Sequence, residues 1–201
     1  IIDKPAGMTS HDVVARVRKI AGERRVGHTG TLDPFATGVL VTLLGRATRL
    51  AQFLSGAEKE YEALIRFGYA TDTGDFTGAP LEVQPHATIT KAHSLRPEEI
   101  AVAMAELARR TEQTPPMYSA KKVGGRKLYE LARRGETVDR QSVRITIKEF
   151  EPILKDDSWL KHNPDDTADL RVRIICSAGT YIRTLAEDLG KQGAIVTDLV
   201  A

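Results

Sequence analysis

The chain has 201 residues, a formal net charge of +2, 41% hydrophobic residues and one cysteine, Cys176. That length supports one domain with a proper core, and a single cysteine excludes an internal disulfide and a cysteine-rich zinc site. The five histidines show neither i, i+4 pairing nor a nearby carboxylate motif, so no metal is expected. No segment reaches the apolar length of a membrane span and no leader pattern opens the chain, so a cytoplasmic protein with no membrane partner is expected.

Charge becomes informative when it is counted locally. Residues 109–148 carry eleven Lys/Arg against four acids, and residues 4–49 form a second basic concentration. Segregated positive charge suits either a solvated face or a phosphate-backbone ligand, and charge alone does not separate the two.

In chain order, Ile1 and Ile2 read as the end of a strand and Lys4 to Met8 as a turn. Ser10 is a good N-cap for a helix over 11–21, with Val13, Val14, Val17, Ile20 and Ala21 as its apolar stripe. Residues 27–38 hold three glycines, three threonines and a proline, which predicts an irregular loop, and that loop carries one acid, Asp33, and one imidazole, His28. Asp before Pro is ordinarily a turn or helix start whose carboxylate satisfies nearby amides. Val39 to Leu44 is an apolar run that reads as a buried strand anchoring the loop, and Arg46 to Ser55 as a short helix with Leu50, Phe53 and Leu54 apolar.

Alternation over Lys59 to Phe67 puts Tyr61, Ala63, Ile65 and Phe67 on one face of a strand. Asp72-Thr73-Gly74 spells the short aspartic-protease signature, but polar turn residues surround it instead of apolar strands, so that reading is rejected. Residues 82–94, with Pro85, His86 and His93, read as a linker. Pro97 opens a helix with Ile100, Ala103, Met104 and Leu107 buried. Thr114 to Gly135 is an extended basic loop followed by a helix that Gly135 ends. Val143 to Phe150 and Asp169 to Ser177 alternate as strands joined by a polar loop over 155–167, and Cys176 falls on the core face. A last helix carries Ile182, Leu185, Ala186 and Leu189 inward and stops at Gly190; Arg183 lies off that stripe, where a surface position is the ordinary reading.

Several of these strings together resemble one family. Gly-His-x-Gly-x-Leu-Asp-x-x-Ala-x-Gly-Val-Leu over 27–40 resembles the catalytic loop of the TruB family, the tRNA pseudouridine-55 synthases. Asp-Lys-Pro-x-Gly-Met-x-Ser at 3–10, Lys59-x-Tyr61, the Thr71–Asp75 turn and Gly-x-Tyr-Ile-Arg at 179–183 are similar to further motifs of that family. The resemblance implies a mixed α/β fold, the pseudouridine synthase fold, with a central, mostly antiparallel sheet flanked by helices. It implies one catalytic domain over 1–201 with a basic RNA-clamping insertion at about 114–142, as in standalone bacterial enzymes.

By the same resemblance Asp33 is the catalytic aspartate and Arg183 pairs with it. Tyr61 stacks on the target uracil and is placed to take part in proton removal, Tyr181 lines the uracil pocket, and Leu199 is a further substrate-binding residue. His28 fills the gap left by the flipped base, Arg49 contacts phosphate, and Lys4-Pro5 buttresses the loop. The reaction implied is isomerisation of the T-loop uridine of tRNA at position 55, with no cofactor, no required protein partner and a monomeric enzyme. A non-catalytic tRNA-binding or folding module and a guide-RNA-dependent ribosomal RNA synthase are the competing readings. After Gly190 the sequence departs from the family pattern: the spacer is short, Ile195 stands where the family has histidine, and the last strands and a C-terminal PUA domain are expected to be missing.

Overall fold

The computed structural model describes residues 1–81, 92, 94–154, 158–190 and 194–201. Its strands are β1 (Ile2–Lys4), β2 (Val26–His28), β3 (Gly38–Leu40), β4 (Thr42–Leu44), β5 (Lys59–Phe67), β6 (Glu112–Gln113), β7 (Lys122–Val123), β8 (Arg126–Lys127), β9 (Val143–Arg144), β10 (Ile147–Pro152), β11 (Leu160–His162), β12 (Ala168–Cys176) and β13 (Ala194–Val200). The helices are α1 (Ser10–Ala21), α2 (Ala51–Leu54), α3 (Pro97–Ala108), α4 (Leu128–Ala132) and α5 (Ile182–Leu189), and a 3₁₀ turn over Gly45–Leu50 runs into α2.

The central sheet runs β10-β12-β5-β13, with β11 extending the β10 edge of β12, and all its pairings are antiparallel. The two nine-residue strands β5 and β12 form its middle, in register from Ala168 opposite Phe67 to Cys176 opposite Lys59. Strict alternation decides which face is inside: Leu170, Val172, Ile174 and Cys176 of β12 are fully buried, as are Ala63, Ile65 and Phe67 of β5. Helices α3 and α5 cover that core, α3 against β10 and α5 against β13, and touch each other. Each apolar side chain so buried is worth about 1.5–3 kcal/mol, so this layer dominates the fold's stability. The mixed α/β class and the mostly antiparallel sheet expected from sequence are what the structure has.

Several local expectations differ. Thr9, not Ser10, caps α1, its side chain and that of Asp12 exchanging hydrogen bonds with each other's backbone. Ser10 is thereby freed for a different contact. Ile20 is 86% exposed, because Val13 and Val14 already fill the one buried face of α1. The run 39–44 is not one buried strand: β3 pairs with β1, β4 pairs with β2, and Val39 and Leu44 are exposed. The helix over 46–55 is a 3₁₀ turn plus one α turn, and Leu50, Phe53 and Leu54 face solvent.

The stretch 143–150 divides into β9, paired with β6, and β10, paired with β12. The loop after it contains β11, and residues 194–200, beyond the point where the sequence departs from the family pattern, form a strand against β5. The basic loop after 114 holds a small hairpin of β7 and β8. The linker over 82–94 lies outside the described residues except for Ala92 and Ser94.

Candidate active site

The loop after β2 is irregular, yet its backbone is fixed on both sides of Asp33. The Ser10 hydroxyl accepts from the Leu32 N–H at 2.9 Å and donates to the Leu32 carbonyl at 3.2 Å. Beyond Asp33, the Pro34 carbonyl accepts from Gly7 N at 2.8 Å and from Lys4 Nζ at 3.2 Å. Lys4 is wholly buried, also donates to the carbonyls of Pro5 and Met8, and has its pKa lowered by burial, against the charge of Asp33. A buried ammonium is tolerated here because three carbonyls receive its three protons. Leu32, Phe35 and Ala36 sink into the core, and Thr37 N donates to the Leu199 carbonyl of β13 at 2.8 Å. Gly38, at φ +110°, lets the loop pass the backbone of Ala201 at a distance where any side chain would collide.

Arg183, in the first turn of α5, closes on this loop. Its Nε and Nη2 donate to the two carboxylate oxygens of Asp33 at 2.8 and 3.1 Å, a two-pronged pair. The remaining donors reach the Thr73 carbonyl at 2.5 Å and the Tyr118 carbonyl at 2.7 Å, and Asp75 stands 3.8 Å from Nε. The guanidinium is 4% exposed and the Asp33 carboxylate 34%. The charge is therefore buried in the wall while the acid it holds is presented outward.

The helix carrying Arg183 is positioned by Gln113. Its side-chain carbonyl accepts from Tyr181 N at 2.8 Å and its amide donates to Tyr181 O at 3.1 Å. Asp75 is locked by donation from the Thr77 N–H and hydroxyl, and Gly74, at φ +72°, leaves room for the Glu187 carboxylate. Gln113 and the two acids of the 71–75 turn had no assigned role in sequence. A turn bearing Asp72 and Asp75 hinted at one, but Tyr118, which donates to Asp72, lies 46 positions on, and Arg183, beside Asp75, lies 108 positions on.

Asp33, Tyr61, Tyr181, Arg183 and Leu199 line one open cleft of about 610 Å³, a volume ordinary for a small-ligand site. Burial, with lesser contributions from the charges of Cys176 and Asp33, raises the Tyr61 phenol far above its usual range. Burial raises Tyr181 too, opposed by Ser119 and Arg183. Both are neutral phenols at neutral pH. His28 sits in β2, half-buried, and burial lowers its pKa, which favours the neutral imidazole; neither it nor the exposed Arg49 lines the cleft. Among the described residues, no group of three His, Cys, Asp or Glu side chains is placed to hold a metal ion, and no helix is long and apolar enough to cross a membrane.

The model of the TruB family pseudouridylate synthase N-terminal domain matches residues 18–182. The tRNA pseudouridine synthase B of Geobacillus thermodenitrificans is 47% identical over 193 residues, 96% of this chain and 61% of that protein. Its counterpart in Leifsonia xyli is 46% identical over 202 residues, 100% of this chain and 64% of that protein. The chain thus spans somewhat over three fifths of these curated relatives. Among solved structures, a chain of a Cbf5-Nop10-Gar1 complex superposes with a TM-score of 0.67 at 29% identity, over 98% of this chain and 46% of that one. A chain of an H/ACA RNP bound to a substrate RNA containing 2′-deoxyuridine gives 0.61 at 26%, over 98% and 44%. With the family model covering most of its length and relatives this similar in sequence, the chain belongs to the TruB family.

Proposed function

We propose that this chain is the catalytic domain of a tRNA pseudouridine synthase that isomerises the T-loop uridine at position 55. One observation carries the reading: a carboxylate, Asp33, is held by a buried arginine at the mouth of a cleft lined by two neutral tyrosines. The isomerisation breaks the N1–C1′ bond, forms C5–C1′, releases the C5 proton and takes one up at N1, with no redox change and no phosphate transfer. Asp33 acts as the nucleophile or as the base toward the ribose. Arg183 fixes its two oxygens so that attack needs no reorientation. Tyr61 stacks on the base, and Leu199 and Tyr181 complete the pocket.

The target base must leave a folded loop to reach the cleft, and His28, on the strand leading into the catalytic loop, takes the vacated place. Arg49 and the exposed Lys122, Arg126, Arg133 and Arg134 of the 114–142 insertion supply positive charge for the T-arm backbone. The enzyme works as a monomer in the cytoplasm and without a guide RNA; for the last of these, identities of 46–47% to tRNA pseudouridine synthases B, against 26–29% to chains of the Cbf5-Nop10-Gar1 and H/ACA RNP assemblies, are the support.

The test is release of tritium to water from a T-arm stem-loop labelled at C5 of its uridines. The native chain alone should release it and Asp33→Asn should not. An inert native chain that still binds the RNA would favour a binding module.

A further inference from the structure

We infer that Lys59 is a further substrate-contacting residue, its ammonium holding a phosphodiester that flanks the flipped uridine; this rests on the synthase reading above. Lys59 opens β5 two residues before Tyr61, and the period of a strand puts both side chains on one face, about 7 Å apart along it. Both line the cleft. The lysine is half-buried, and its end lies against the catalytic loop: a Cβ added at Gly30 would stand 3.8 Å from Lys59 Cε and 4.0 Å from Nζ. Its charge is thus held beside the loop that presents Asp33.

The other charges of the cleft wall are mated. Asp33 is held by Arg183, Glu58 pairs with Lys148, and Glu60 accepts from Arg173 Nε at 2.6 Å. Arg183 turns its donors to Asp33 and to two carbonyls. Lys59 makes no hydrogen bond or ion pair with another described residue. Its one electrostatic neighbour among them is the Cys176 thiol, opposite it on β12, and burial raises that thiol's pKa and keeps it neutral. Of the two cations that line the cleft, Lys59 is therefore the one whose charge is unbalanced.

A flipped nucleotide brings the missing anion with it. Its base and ribose cannot enter the cleft without drawing the phosphodiesters on either side toward the mouth. The Asp33–Arg183 pair is neutral as a unit and offers such a phosphate no net attraction. Lys59 does. A compact ammonium on a flexible stem can also follow a phosphate that shifts as the nucleotide swings in, where a guanidinium fork would fix one orientation.

The test is a charge cycle in the inactive Asp33→Asn background, which reads binding without turnover. T-arm stem-loops carry either native linkages throughout or one uncharged methylphosphonate, placed 5′ or 3′ to the target uridine, and each is bound with and without Lys59→Met. Lys59→Met should weaken binding of the native stem-loop about tenfold, and a methylphosphonate at the contacted linkage should weaken binding to the lysine-bearing chain by a similar factor. The two losses should not add: once that linkage is neutral, Lys59→Met should cost nothing more. The slope of log affinity against log salt should shrink by about 0.7–0.9, one phosphate contact, with Tm unchanged. In the otherwise native chain, Lys59→Met should slow tritium release about tenfold at subsaturating RNA.

Undiminished affinity in Lys59→Met, an unchanged salt slope, or losses that add at both linkages overturns the assignment. So does a variant that binds weakly but also melts lower, because that marks a lysine whose work is to pack the loop. Failure of the synthase reading looks different: native chain itself would release no tritium, whatever the charge cycle reads.

Discussion

Two arginine–aspartate forks in this molecule share a geometry and differ in which partner is buried. Arg66 on β5 grips Asp169 on β12 through Nε at 2.7 Å and Nη2 at 2.9 Å, at the end of β5 remote from Tyr61. There the carboxylate is 6% exposed and the arginine 32%. At the cleft the order is reversed, with Arg183 at 4% and Asp33 at 34%. A buried acid under an outward arginine is a clasp between strands. A buried arginine behind an outward acid is a mount, and what it presents is available to a ligand. Geometry alone does not tell the two apart; burial of each partner does.

The largest way to sharpen this contrast is Arg183→Lys. Lysine keeps the charge but cannot fork the two oxygens of Asp33 and still reach the Thr73 and Tyr118 carbonyls. Single-turnover rates should fall roughly a thousandfold, with Tm lowered as well because the Thr73 and Tyr118 carbonyls lose a donor. Near-native turnover would mean that Asp33 needs no mount.

Tyr61→Phe comes next, with an expected loss of about a hundredfold if the hydroxyl helps move the C5 proton. Because burial keeps that phenol protonated, the native rate should show no tyrosine ionisation between about pH 6 and 9. A Phe variant as fast as native chain would reduce Tyr61 to a stacking surface.

The smallest effect on activity belongs to the clasp. Asp169→Asn should leave turnover unchanged while costing about 2 kcal/mol of stability, measured by urea unfolding. Burial alone would raise the Asp169 carboxyl, but hydrogen bonds from Arg66 and Asn163, with the charges of Arg66 and Lys161, hold it below its usual range. A depressed folded pKa contributes stability above the unfolded value of about 3.9 and loses it as pH falls through the folded value. Native stability should therefore drop below about pH 4, and the Asn variant should flatten that drop. Equal acid sensitivity in both would remove Asp169 as its cause.

The sequence was most legible where one rule acted alone. Alternation placed Tyr61, Ala63, Ile65 and Phe67 on one face of β5 and put Cys176 in the core, and helical spacing set Ile182, Leu185, Ala186 and Leu189 inward. It was least legible where distant chain decided the outcome. Arg183 lies off its helix stripe and reads as a surface residue by periodicity, yet it is buried because Asp33, Thr73 and Tyr118 supply acceptors from 65 to 150 positions away.

Ser10 looked like a cap by type, but Thr9 had Asp12 three residues on, and the cap moved one position. The helix expected over 46–55 counts Phe53 among its apolar residues, but its α part is a single turn and leaves the ring 72% exposed. Gln113, which fixes the start of α5, carries no signal that a single sequence reveals.

The measurement that bears most directly on the account is to map pseudouridine in an unmodified tRNA transcript incubated with native chain or with Asp33→Asn. The account predicts conversion of one uridine, in the T loop, by the native chain and none by the variant. Conversion that survives Asp33→Asn, or a native chain that binds the transcript and converts nothing, would contradict it.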